Sequence, residues 1–228
     1  MWNTDEQWLE HRMELYNKFL KPSIENQTEK NFAFVGLFDS RTPPKYLERF
    51  WYDYILIEKE QNTRDVVREK IPADGRLLTT RVDNDDCLNM YYVEAMQTVA
   101  QVMIWKDQKE CLLIPSKGID LHLKNSVCVG VDRPFVSEWV AYANPFISFL
   151  EYGTNKTVYE KKHWDMAQYP YKFVDNRHFR LRVMHDNNIL NDSLLGLETT
   201  LLENHQGFSF LPSTHELMNW YNNRTKKG

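Results

Sequence analysis

The chain has 228 residues, enough for one large domain with a full core or two small ones. Hydrophobic residues make up 42% and charged residues 26%, which is ordinary for a soluble globular protein. A formal net charge of -4 with no long basic block argues against gripping nucleic acid mainly through phosphates.

The generous aromatic content (Trp 7, Tyr 12, Phe 12) suits a core built from large side chains, and equally a stacking surface for sugars or bases. Cys87, Cys111 and Cys128 lack metal-ligand spacing and read as buried thiols of a reducing compartment. The acidic start Met1–Glu6 lacks the apolar stretch expected of a signal peptide, and no apolar run approaches membrane-spanning length. The expected location is the cytoplasm.

In chain order, Leu9, Met13, Tyr16 and Leu20 recur at helical spacing with Pro22 after them, which predicts an opening amphipathic helix. The apolar run 32–38, ending in Asp39, predicts a buried parallel strand. A turn over 40–44 and a short helix around 45–52 lead into a strand at 54–57, and the charged stretch 58–69 predicts a helix. Pro72, Asp74 and Gly75 form the turn before a buried strand over 77–82, expected to be central in its sheet. Over 89–105, Met90, Val93, Gln97, Ala100 and Ile104 mark one helical stripe. This alternation predicts a parallel sheet with covering helices.

Beyond residue 107 the character changes. Segments 118–123 and 127–131 predict a hairpin, and a strand is expected to start at 157–159 and run into His163. Residues 180–184 alternate and end at His185, and a helix over 213–222 closes the chain. No linker composition separates the two parts, so they read as halves of one domain.

The chemistry concentrates in Asp83-Asn84-Asp85-Asp86, directly after the strand at 77–82. Clustered carboxylates repel one another unless a cation neutralises them. One residue suffices to cap the helix that follows, so capping leaves the others unexplained. An EF-hand loop fails because Cys87 fills a ligand position and Leu88 stands where glycine is required. An Asp-x-Asp motif holding Mn2+ or Mg2+ against a diphosphate accounts for the cluster and its place at a strand end. Arg76 and Arg81 flank that strand and either pair with the diphosphate or neutralise the carboxylates. Glu151, ending an apolar stretch, and Asp165 are the candidate carboxylates for a general base, Glu151 being favoured. Trp139, Tyr142, Phe146 and Trp164 suit either sugar stacking or the core.

Thr80-Arg81-Val82-Asp83-Asn84-Asp85-Asp86 resembles a stretch of the putative rhamnosyltransferase family, glycosyltransferases of GT-A fold. Trp8-Leu9-Glu10-His11-Arg12 through Pro22-Ser23, Gln27-Thr28 and Asn31-Phe32 resembles that family's opening, and His185-Asp186-Asn187-Asn188 a late motif. The resemblance runs over residues 8 to 192 and is strongest in the first 90. Members usually carry a strand upstream of the Trp-Leu segment, and here only a few residues precede it.

The resemblance implies an α/β fold, a GT-A type Rossmann-like mixed sheet flanked by helices. Residues 1–106 would be the nucleotide-sugar-binding half and 107–228 the acceptor-binding half. It implies that Asp39 contacts the nucleotide base and that His185 joins Asp83 and Asp85 on the metal, with His163 a lesser candidate. The expected partners are a nucleotide-sugar donor and a carbohydrate or other hydroxyl acceptor, a modified DNA base among them. A metal-dependent phosphohydrolase or nuclease, and a non-catalytic nucleotide- or carbohydrate-binding module, are the alternatives.

Overall fold

A computed structural model describes residues 5–71, 75–123, 129–134, 146–153, 156–160, 166, 168–185, 199–200 and 206–225. The predicted residues Cys128, Trp139, Tyr142, His163, Trp164, Asp165 and Asp186–Asn188 lie outside them.

The fold is a mixed α/β arrangement in which a curled mixed sheet is flanked by helices. The chain opens with α1 (Glu6–Leu15), whose first turn is capped by Asp5 accepting from the Trp8 amide at 3.0 Å. The helical path does not stop before Pro22 as its sequence suggests. It passes through a π-turn (Tyr16–Leu20) into α2 (Lys21–Glu25). Proline lacks an amide hydrogen, and the π-turn directly before it, closed by the Lys21 amide on the Tyr16 carbonyl, carries the helical path past a residue that donates nothing.

Strand β1 (Val35–Asp39) pairs in parallel with β2 (Asp53–Ile57), with α3 (Pro44–Leu47) between them. The parallel pairing is as expected, but β1 is not buried: Val35 is exposed and residues 36–38 are half-buried. These two strands form a separate sheet. Helix α4 (Thr63–Lys70), capped by Asn62, follows β2.

Strand β3 (Arg76–Thr80) is expected as a central buried strand and is instead an edge strand, half-buried and antiparallel to β7 (Ser148–Tyr152). Apolar content shows that a strand packs; it does not show which neighbours supply its ladder. Strand β4 (Cys87–Leu88) is short, and α5 (Tyr92–Trp105) follows it. The face that α5 buries carries Tyr92, Met96, Ala100 and Met103, turned from the predicted stripe, with which it shares only Ala100.

The long strand β5 (Glu110–His122) is the centre of the larger sheet. One edge pairs in parallel with β8 (Tyr171–Met184). The other divides between β7, at residues 110–113, and β6 (Val129–Pro134), at residues 117–122. The predicted hairpin is present as β5–β6, and β9 (Thr199–Thr200) pairs with β6. Residues 157–160 form a turn where a strand is expected. Helix α6 (Thr214–Thr225) closes the described chain.

Side chains of β5 alternate between faces. Cys111 and Leu113 join a core with Met13, Leu20, Tyr92 and Met96, while Leu112 and Ile114 pack with Phe149, Val158 and Met166. Further along, Ile119 and Leu121 pack with Leu15, Phe19, Leu181, Val183 and Leu217, so α1, the π-turn and α6 cover the far end. Among the described residues no helix is long and apolar enough to cross a membrane.

One buried polar array crosses this core. Asp120, fully buried, accepts from Arg180 at 3.1 Å and from Arg182 at 2.6 Å. Burial lowers the Arg180 guanidinium to about 10, against the pull of Asp120. Asp120→Ala leaves Arg180 buried beside Arg182 without that counter-charge. The expected loss is about 3–5 kcal/mol of folding stability, measured by urea denaturation.

Candidate active site

Residues 81–86 carry the chain from β3 to β4, two strands that β7, β5 and β8 separate in the sheet. Strand β4 pairs antiparallel with β8, Cys87 opposite Leu181 and Leu88 opposite Arg180. Continued outward, this register sets the end of β8, where His185 stands, against the acidic turn. Asp86 fixes the junction: its Oδ1 accepts from the Val183 amide at 3.0 Å, and its own amide donates to the Asp83 carbonyl at 3.1 Å.

His185, fully buried, lies with Nε2 3.0 Å from Asp85 Oδ2. Its Nδ1 lies 3.2 Å from Nε2 of His11 on α1, and the two rings meet edge to face. The next residue of α1, Arg12, grips Asp85 with both terminal nitrogens, Nη1 to Oδ2 at 2.6 Å and Nη2 to Oδ1 at 2.9 Å. Nη2 also donates to Asn84 Oδ1, and the guanidinium lies 5.6 Å from the Trp8 ring centre, one helical turn back.

These contacts set the charges. Burial pushes the Asp85 carboxyl up, but the hydrogen bond from His185 and the Arg12 charge outweigh it and hold it below the ordinary range. An ionised Asp85 only accepts, so His185 Nε2 donates to it, while the direction of the His185 Nδ1 to His11 Nε2 contact depends on the tautomers. Asp86 is pushed well above the ordinary range, first by burial and then by Asp85 and Asp83. Asp83 is the exposed member; the surrounding protein and Asp85 push its carboxyl up, and access to water limits that push.

Two of the three predicted metal donors therefore meet. Asp85 Oδ2 and His185 Nε2 are 3.0 Å apart. Neighbouring donors on an octahedral ion with bonds of about 2.1 Å stand about 3 Å apart, so this pair fits one cation. Asp83 is not drawn in: among the described residues no three His, Cys, Asp or Glu side chains gather as a metal site. Arg12 supplies the neutralising charge at Asp85.

Arg81 is half-buried at the same end of β3, acting electrostatically on Asp83 and on Tyr159. Segment 157–160 docks there, the Val158 amide donating to Thr79 Oγ1 at 2.9 Å. Burial raises the Tyr159 hydroxyl to about 12. On the opposite face of β3, Thr80 Oγ1, Ser148 Oγ and Tyr92 Oη form a hydroxyl chain with steps of 2.6 and 3.0 Å.

Arg76 and Glu151 are not part of this cluster. Glu151 pairs with Leu77 and Arg76 with Tyr152, at the opposite end of β3 from Asp83. At about 3.3 Å per residue, Glu151 lies about 10 Å along the sheet from the Thr80–Ser148 pair. Asp39 ends β1, buried and gripped by Arg41 through Nε at 2.8 Å, Nη2 at 2.6 Å and the backbone amide at 2.9 Å.

His11, Arg12 and Tyr159 carry no assigned role in the sequence reading. For Arg12 a signal existed, since it stands one helical turn after Trp8 in the segment that carries the resemblance. The Gln27-Thr28 segment is structural: Gln27 donates to the Ser23 and Asn89 carbonyls and accepts from the Val93 amide, and Thr28 binds the Met90 carbonyl and Glu94. Both tie α2 to the start of α5, and hence to the acidic turn.

The hydrogen bond from Arg41 lowers the Asp39 carboxyl from 3.8 to about 2. The stability this contributes is present above about pH 4 and lost as pH falls to about 2. Asp39→Asn is expected to flatten that part of the acid-unfolding curve, followed by tryptophan fluorescence. The effect is small because Arg41 is half-exposed.

No curated protein matches the chain at a significant level. The model of one family, described as putative rhamnosyl transferase, matches residues 3–194. That span includes α1 with His11 and Arg12, the acidic turn, and His185 at the end of β8. By this match, over most of its length, the chain belongs to the putative rhamnosyl transferase family.

Proposed function

We propose that the protein is a metal-dependent glycosyltransferase of GT-A type, moving a sugar from a nucleotide-sugar donor to an acceptor hydroxyl. The observation that carries the reading is the contact of Asp85 with His185, 3.0 Å apart in one buried site and drawn from positions 100 residues apart. The family match over residues 3–194 supports the reaction class.

In this reading Asp85 and His185 hold Mn2+ or Mg2+, and Asp83 completes the set from its exposed position. Such an ion neutralises the departing nucleoside diphosphate as a Lewis acid. Asp86 holds the turn against β8 through the Val183 amide and so keeps His185 aligned. Arg81, whose charge already acts on Asp83, is proposed to pair with the diphosphate. Asp39, at the end of β1, reads the nucleotide base once Arg41 shares it.

The acceptor proton needs a carboxylate near Asp83. Glu151, which stands at the other end of β3 from Asp83, and Asp165, which lies outside the described residues, are the two carboxylates proposed for this role. Tyr159, half-buried at the Asp83 end of the strand, offers a hydrogen bond to a sugar or other hydroxyl acceptor.

Asp85→Asn keeps the size of the side chain and removes its charge. Transfer or hydrolysis of the nucleotide sugar is expected to fall about a thousandfold, several kcal/mol at about 1.4 kcal/mol per decade. The donor is found first by a thermal-shift screen of nucleotide sugars with Mn2+, since a ligand of the folded state raises Tm. Unchanged turnover in Asp85→Asn, with the fold intact by circular dichroism, sinks the reading.

A further inference from the structure

Arg12 stands where the proposed site takes a cation. Its two terminal nitrogens engage both oxygens of Asp85, at 2.6 and 2.9 Å, and Oδ2 also meets His185 Nε2 at 3.0 Å. A divalent ion bound to Asp85 Oδ2 and His185 Nε2 lies within about 2.1 Å of each. A guanidinium nitrogen 2.6 Å from Oδ2 competes with such an ion, because two cations drawn to one carboxylate repel each other. Occupation of Asp85 by Arg12 and by the ion therefore oppose each other.

The guanidinium is also incompletely satisfied in this arrangement. Its Nε–H is buried without an acceptor among the described residues, although the side chain as a whole keeps 17% exposure. A buried donor without a partner costs free energy and favours a rearrangement that supplies one. The planar fork of arginine matches phosphate as well as carboxylate. Trp8, 5.6 Å away on the same helix, offers a face along which the guanidinium can turn.

Resting on the metal-dependent reading above, we propose that Arg12 is a transferable counter-ion. It holds Asp85 while the metal is away, and it passes from the carboxylate to the donor's diphosphate when metal and donor bind. The metal alone then binds weakly, because it must dislodge a bidentate pair. The diphosphate alone binds weakly, because Arg12 is engaged. Each favours the other, and part of that coupling belongs to Arg12 and not to direct contact between metal and phosphate.

The test is calorimetric titration of Mn2+ into the wild-type chain and Arg12→Gln, alone and with uridine, guanosine and thymidine diphosphate in turn. Arg12→Gln is expected to bind Mn2+ alone about tenfold more tightly than wild type, and to lose about the same factor of coupling to the diphosphate. Equal Mn2+ affinity in the two proteins, or undiminished coupling in the variant, overturns the proposal and leaves the metal-dependent reading standing. Absence of Mn2+ binding in every combination overturns both. Arg12→Lys, which keeps the charge but not the fork, is measured alongside. It is expected to bind Mn2+ alone more tightly than wild type, and equality there overturns the proposal even if Arg12→Gln does not fold.

Discussion

The cost of withdrawing carboxylates from water governs the architecture around the acidic turn. Asp85 and Asp86 are both buried, with Asp83 beside them and Asp120 buried nearby in the same sheet. Each is compensated differently. Asp85 receives a full positive charge from Arg12 and a hydrogen bond from His185, and stays ionised. Asp86 has one backbone amide and two like-charged neighbours, so its acid form is favoured. Asp120 has two arginines. Asp83 remains in water.

Meeting these demands requires long-range order. The partners of Asp85 come from α1, near the start of the chain, and from the end of β8. Strand β8 reaches it only because β4, two residues long, pairs with it in one register. A slip of one residue turns Val183 and His185 to the wrong face. The Asp86 bond to the Val183 amide is therefore a register lock as well as a satisfied carboxylate. Gln27 plays the matching part on the helical side, joining α2 to the start of α5 with three hydrogen bonds.

The larger sheet also joins residues from both sides of position 107. Strands β3 and β4 come from the first part of the chain and β5 to β9 from the second, so the acidic turn and His185 share one framework. That arrangement suits a transfer between two substrates, because a rigid sheet holds reacting groups at fixed separation. The pair β1–β2, with Asp39 ending β1, forms its own sheet, and α1 is tied to α3 and the residues just after it by ion pairs of Glu6 with Lys45 and Glu10 with Arg49.

By itself the sequence determined the positions of most elements, because hydrophobic period and turn residues act locally. The parallel β1–β2 pair, the β5–β6 hairpin, the strand ending at His185 and the closing helix were legible. It also marked Asp85 and His185 as members of one site, through residue patterns and not through geometry. Only the tertiary structure decided which strands are neighbours. It made β3 an edge strand, turned the buried face of α5, and left Glu151 and Arg76 at the wrong end of β3. It also brought Arg12 onto Asp85. Strand neighbours and ion-pair partners are chosen by contacts between residues far apart in the chain, and no local pattern records which distant group arrives.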